Sequence, residues 1–240
     1  MSLTLLALDT STEACSVALL YNGEKTHLDE VAQRSHTKRI LPMIDEILSQ
    51  SGVSLHQVDA LVFGRGPGSF TGVRVGTGIT QGLALGADLP VIPVSNLAVM
   101  AQAAYELYQI EQVNAAIDAR MNEVYFAQFK AEKVRSDFGE FLQWRELISE
   151  QVCAPERVLE QLSQVQNLGE WLNVGTGWAA YEVLAQSQFG KMSDIQLPSA
   201  LYMLSLALPA WYNKQYVNAV EVEPVYLRNE VTWKKLPGRE

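Results

Sequence analysis

The sequence is poor in the residues on which hydrolytic and metal chemistry draw. Its 240 residues include 3 histidines and 2 cysteines. His27, His36 and His56 are spaced as neither HxxxH nor HExxH, so no helical face offers two zinc ligands. His27 lies in a strand pattern and the other two near helix edges, which suits surface or hydrogen-bonded structural histidines. Cys15 and Cys153 form no CxxC motif and no disulfide framework, and read as buried thiols of a reducing compartment. A G-x-S-x-G nucleophile elbow is missing too: the nearest string, GPGSF, has proline and phenylalanine in the wrong places.

Positive charge is also scarce, with 18 Lys and Arg against 27 Asp and Glu and a formal net charge of −9. Nucleic-acid affinity comes largely from cationic side chains displacing counterions, so the chain alone should bind tRNA or DNA poorly. Any RNA would be held by a partner. The longest strongly apolar run, Leu201 to Tyr212, is too short to span a bilayer and contains Pro209. The opening LTLLALDTST has no basic leader and reads as a strand. The expectation is a soluble cytoplasmic protein without a membrane segment.

What remains is ample for a core. At 48% hydrophobic and 19% charged, the chain can fold as one large domain or two small lobes. Strand patterns run from Leu3 to Asp9, Cys15 to Tyr21 and Lys25 to Val31, the last two joined by the hairpin signal Asn22-Gly23. A helix follows over SHTKRILPMIDEILSQ, closed by Gly52, in which Pro42 should kink the helix or push its regular part C-terminal. Then come a strand at Asp59 to Phe63, a helix at Val73 to Gly86, a strand at Val91 to Val94 and a helix from Leu97. The second half is less regular. It offers strands at Val113 to Asp118 and Glu123 to Lys130, then helices at Pro155 to Gln164, Gly177 to Gln186 and Ser199 to Gln215. A boundary near residues 106–112 divides an N-terminal lobe, 1–108, from a smaller C-terminal lobe and tail, 109–240, whose last residues should be mobile.

GRGPGSFTGVRVG is the most informative stretch. Gly64, Gly66 and Gly68 permit unusual backbone, and Ser69 and Thr71 can cap the following helix. Such a loop can cradle an anion on its N–H groups, or serve only to turn strand into helix; no GK[ST] follows to make it a Walker A motif. The helix behind it holds Gly72, Gly76, Gly78, Gly82 and Gly86. Each interior glycine costs ~0.8–1.0 kcal/mol relative to alanine, and close backbone approach by another helix is the natural offset. Gly72, Val75, Gly76, Ile79, Gly82, Leu83 and Gly86 share one broad face. On the preceding helix, Ile40, Leu41, Met43, Ile44, Ile47 and Leu48 spread over an arc wider than the ~100° stripe of a surface helix. Both features fit either a partner surface or burial within the monomer.

DTSTEACSVALL, SHTKRILPMIDEIL, GRGPGSFTGVRVGTGITQGLALG, IDARMNEVYFAQF and PVYLRNEVTWKK, in this order, resemble the TsaB (YeaZ) family. The resemblance runs from the first strand to the last dozen residues and is weakest between about 130 and 170. It implies an α/β, two-lobed actin/Hsp70/sugar-kinase-like (ASKHA) fold with a reduced second lobe. It also implies a non-catalytic subunit that works with TsaD and the ATPase TsaE. That complex moves a threonylcarbamoyl group from threonylcarbamoyl-AMP to N6 of the adenosine beside the tRNA anticodon, and tRNA meets this subunit only through the complex. The expected contacts to TsaD are Ile40, Ile44, Ile47 and Leu48 on the first helix and Gly72, Val75, Gly76, Ile79 and Leu83 on the second. A surface built for a paralogue can also self-pair, so a homodimer is expected when TsaD is absent.

The sequence departs from TsaD at two places. Asn96 and Met100 stand where the resemblance would put two histidine ligands of TsaD, and neither suits iron or zinc, so no metal site is expected. Asp9, Thr10 and Ser11 replace the Asp-x-Gly of an actin-like phosphate loop. Asp9, Ser11, Gly66, Gly68, Ser69 and Thr71 are the expected vestiges of phosphate or nucleotide contact. No intrinsic cofactor is expected, while an ATP or ADP contact shared at the TsaD junction stays open. The competing reading is a stand-alone sugar-kinase-like ATPase or phosphotransferase using Asp9 to orient a metal. A metal-dependent peptidase is opposed by the missing histidine pair.

Overall fold

The computed structural model describes residues 2–32, 35–136, 139–165 and 169–228. β1 (Leu5–Asp9), β2 (Ala14–Tyr21) and β3 (Glu24–Val31) form an antiparallel meander. Asn22 and Gly23, at φ 52° and 81°, make the left-handed hairpin turn whose twist matches the flanking strands. α1 (His36–Ser51) leads to β4 (Ala60–Gly64), and α2 (Phe70–Ala87) to β5 (Val91–Val94). β4 pairs parallel with β1 and β5 parallel with β4, giving the order β3-β2-β1-β4-β5. Parallel neighbours need a crossover, which the two helices supply.

The second half holds α3 (Asn96–Tyr108), β6 (Gln112–Asp118), β7 (Val124–Ser136), β8 (Gly139–Cys153) and α4 (Pro155–Gln164). β9 (Leu172–Val174), α5 (Gly177–Ala180), α6 (Glu182–Ala185), β10 (Lys191–Met192) and α7 (Ala200–Tyr212) follow. The second sheet has the order β10-β9-β6-β7-β8. The structure thus has two lobes, each built on a five-stranded mixed sheet.

Alternation along β1 shows how the layers form. Leu6 and Leu8 face α1 and α2, in one core with Ile40, Ile47 and Phe63. Leu5 and Ala7 face the other way, onto Met203, Leu204 and Ala207 of α7. α3 packs on the second sheet through Leu97, Ala101 and Ala104 against Val113, Ala115 and Phe129. The far face of that sheet is covered by Val158 and Leu162 of α4, with Trp178 and Leu184. The chain therefore returns to the first sheet through α7 after it has built the second.

Several local expectations change. α1 runs through Pro42 and starts at His36, so its regular part is not displaced C-terminally. The helix expected over 177–186 is two single turns, because Tyr181 is extended at φ −130°, ψ 126°. The strand expected to end at Lys130 continues to Ser136, and β8 is an additional strand paired with it. The last residues of the tail, 229–240, lie outside the described residues.

Candidate functional site

A cleft of ≈ 750 Å³ opens between the lobes. Its first-lobe wall is the β1–β2 turn (Ser11, Thr12, Glu13), His36 at the start of α1, and Gly68, Ser69 and Phe70 at the start of α2. The second-lobe wall is Ile117 to Arg120, Tyr125, Thr176 and Ala180, and Arg228 closes one side. That volume suits a small ligand.

The charges within it are mutually satisfied. Arg120 spans the cleft, 3.1 Å from Asp118 and 3.5 Å from Glu13. Asp118 also accepts from the Tyr181 hydroxyl at 2.9 Å, and burial followed by that bond raises the phenol's pKa. His36 Nε2 lies 2.8 Å from Thr12 O, and a carbonyl only accepts, so this nitrogen carries the proton. Among the described residues, no three His, Cys, Asp or Glu side chains gather as metal ligands. Burial pushes the Cys15 thiol up to about 12 and the Cys153 thiol up to about 11, so neither is a thiolate nucleophile at neutral pH.

The expected phosphate contacts separate into three places. Ser69 and Gly68 line the cleft with Ser11, while Thr71 is exposed on α2 outside it. Asp9 and Gly66 are buried behind them. Asp9 is 1% exposed; its Oδ1 accepts from Asn96 Nδ2 at 2.7 Å and its Oδ2 from Ser11 Oγ at 2.9 Å. Burial, partly offset by those bonds, pushes its carboxyl up to about 6. The metal-orienting role offered for Asp9 is therefore corrected: the carboxylate points into the protein, sealed by Asn96 and by Gly64, where a Cβ would overlap it.

The glycine loop is shaped by the same contacts. Ser69 N donates to Ser11 O at 2.6 Å, so a phosphate would have to displace a backbone acceptor. A Cβ at Gly72 would overlap Thr10 O, while Thr10 Oγ1 donates to Gly72 O at 2.7 Å. The glycine at 72 lets α2 lie directly on the β1–β2 turn.

The expected partner surface needs a larger correction. Ile40, Ile44, Ile47 and Leu48 all belong to the first core, with Ile47 only 1% exposed, and present no free side chain. Gly72 and Gly76 also face inward, onto Thr10. Ile79 and Leu83 are half-buried against that core, and Val75 is half-buried. The outer face of α2 is instead Thr71, Arg74, Gly78, Gly82, Leu85 and Gly86, with Leu85 73% exposed. Among the described residues, nothing lies within 4 Å of a Cβ built at Gly78, Gly82 or Gly86. On α1, the outward residues include Leu41, 48% exposed.

Sequence reasoning missed Arg120, Asp118, Tyr125 and Arg228 as cleft residues. The only signal was their place in the IDARMNEVYFAQF and PVYLRNEV blocks, since no local rule brings 118–125 and 228 together.

A family model described as TsaD, tRNA N6-adenosine threonylcarbamoyltransferase, matches residues 27–210. The tRNA threonylcarbamoyladenosine biosynthesis protein TsaB of Haemophilus influenzae is 71% identical over 239 residues, covering 100% of this chain and 99% of the relative. The protein of the same name from Escherichia coli is 49% identical over 98% of this chain and 99% of its own. The solved structure of YeaZ from Pseudomonas aeruginosa matches with a TM-score of 0.82 at 45% identity, over 94% of this chain and 100% of that one.

Proposed function

Because this chain belongs to the TsaB family of tRNA threonylcarbamoyladenosine biosynthesis proteins, we propose that it is a non-catalytic subunit whose α2 face docks a TsaD-type threonylcarbamoyltransferase. The observation that carries this reading is the outer face of α2. Gly78, Gly82 and Gly86 recur every fourth residue, and a Cβ at any of them would meet none of the described residues within 4 Å. Among the described residues no close contact offsets their helix cost, ~0.8–1.0 kcal/mol each. A partner helix lying close on that face, beside exposed Leu85 and Phe70, offsets it. The occupant follows from the chain's own match to the TsaD family: two chains of one fold can pack like faces about a pseudo-twofold axis. Self-pairing by the same face is the fallback when TsaD is absent.

The burial of Asp9 supports the non-catalytic reading, because a sugar-kinase-like mechanism needs that carboxylate turned toward metal and phosphate. In this reading the chain holds no nucleotide of its own, any ATP or ADP contact being shared at the TsaD junction. TsaE joins the TsaB–TsaD pair, and the net charge of −9 leaves tRNA to the partners.

The test reconstitutes transfer from threonylcarbamoyl-AMP to tRNA with TsaD and TsaE from the same organism. The chain alone should transfer nothing, TsaD should co-purify with it, and adding it should raise transfer. Transfer by the isolated chain, or a normal level of the modified nucleoside in cells depleted of it, would sink the proposal. Titration with ATP and magnesium separates the kinase-like reading, which requires binding to the isolated chain.

A further inference from the structure

After α7 the chain does not simply trail away. Val217 bridges to Val91 at the edge of β5 with two 2.9 Å backbone bonds. Val222 is buried in the first core, and its carbonyl accepts from Gln81 of α2 at 2.8 Å. Val225 N donates to Arg65 O at 2.8 Å. Next, Tyr226 sits on the first turns of α2: its ring centroid is 5.8 Å from that of Phe70, and its hydroxyl accepts from Arg74 Nε at 2.8 Å. The Arg74 guanidinium carbon lies 3.6 Å from the Phe70 ring centroid, which closes an aromatic–cation bracket.

Two residues later the chain reaches the other lobe. Arg228 Nε donates to Glu123 Oε2 at 3.0 Å, and its Nη2 donates to Ala119 O at 3.1 Å and Arg120 O at 3.4 Å. These groups belong to the β6–β7 turn, in which Arg120, Met121 and Asn122 have φ 60°, 57° and 60°. Side-chain-bearing residues avoid the left-handed region, so three in succession need support from outside the turn. The planar guanidinium fork provides it by gathering two carbonyls and a carboxylate.

We propose that residues 222–228 form a strap that couples docking on the outer face of α2 to the inter-lobe cleft. The strap rests on the docking reading above. Phe70 (56% exposed) and Tyr226 (43% exposed) border that face, so a partner covering it fixes Tyr226. Leu227 alone separates Tyr226 from Arg228, and Arg228 holds the turn that forms the cleft's second-lobe wall. The partner's grip thus sets how firmly the cleft is closed without the partner touching the turn.

Hydrogen exchange of the full chain, with and without its TsaD partner, tests the strap through peptides covering 118–124. In the native chain, docking should slow exchange there about tenfold. Arg228→Ala should speed that exchange about tenfold in the free chain, leave peptides over 40–48 unchanged, and abolish the slowing while the partner still docks. If Arg228→Ala also loosens 40–48, Tyr226→Phe, which removes only the hydroxyl held by Arg74, should reduce the slowing by itself; unchanged slowing there overturns the strap. Slowing that persists in a folded Arg228→Ala variant means that the partner covers the turn directly, which also overturns it. Docking on the native chain with no change over 118–124 defeats the coupling and leaves the docking reading standing. Failure of TsaD to dock at all defeats the docking reading.

Discussion

Asn96 and Asp9 are joined by a 2.7 Å hydrogen bond from Nδ2 to Oδ1, and the other end of the same amide, Oδ1, accepts from Gly66 N at 2.8 Å. One buried side chain thus ties the end of β1, the glycine loop and the start of α3. The Asn96 amide is fully used in hydrogen bonding, since Nδ2 also donates to Ser11 Oγ at 2.7 Å. A buried network of this kind stabilises only while every member is satisfied.

The first prediction is a pH dependence. Burial raises the Asp9 carboxyl from 3.8 to about 6, so the folded state binds its proton more tightly than the unfolded state does. Its contribution is therefore fully present below pH ~4 and is lost as pH rises through ~6, a swing of about 3 kcal/mol at ~1.4 kcal/mol per pKa unit. Urea melts of the native chain and Asp9→Asn between pH 4 and 7.5 isolate the effect. Their difference in stability should drift by that amount toward the variant as pH rises. A flat difference would show that Asp9 titrates normally.

Asn96→Asp places a second carboxylate against Asp9 and removes the donor to it. At pH 7.5 the variant should lose ~3–5 kcal/mol, as expected when a buried charge loses its partner. Near pH 5 the pair can share a proton, and a large part of the loss should return. Thermal melts at the two pH values decide the matter, and equal destabilisation at both would refute the carboxylate account.

Gly82→Leu separates the two uses of α2. Among the described residues nothing lies within 4 Å of a Cβ at Gly82, so the monomer should accept the change and gain somewhat less than the ~0.8–1.0 kcal/mol that separates glycine from alanine in a helix. Pairing with TsaD should weaken at least tenfold, because the added bulk holds the helices apart. Calorimetric melting and binding are measured on the same preparation, and unchanged affinity would remove α2 as the docking helix.

Ile47→Arg and Leu85→Arg form a matched pair. Ile47 is 1% exposed in the first core, so a charge there should unfold the chain or cost several kcal/mol. Leu85 is 73% exposed on the outer face of α2, so its variant should melt as the native chain does and lose TsaD. If Ile47→Arg folds normally and only pairing fails, the assignment of α1 to the core is wrong.

How far the sequence reached differs from element to element. The meander, its Asn22-Gly23 turn, the Gly52 end of α1 and the α2–β5 order were legible because each rests on local signals: alternation, turn chemistry and capping. β8 was not legible. Its alternation is broken where Arg145 and Glu146 are exposed side by side, and its pairing with β7 is interrupted by register shifts near Gln128. The division of Gly177 to Gln186 into two turns depends on the extended backbone at Tyr181, which no glycine or proline announces.

The sequence by itself determined the family, the acidic and histidine-poor character, and the two unusual helices with their excess of isoleucine and glycine. Only the tertiary structure decided which face of each helix is free. A helical wheel gives angles about an axis but not the direction of the sheet, so it could not show that Ile40, Ile44 and Ile47 are spent on the core while Gly78, Gly82 and Gly86 stay open. The Asp9–Asn96–Gly66 network and the Arg228 clasp were equally out of reach. Both join residues far apart in the chain, and that proximity exists only after two sheets and the returning α7 have packed.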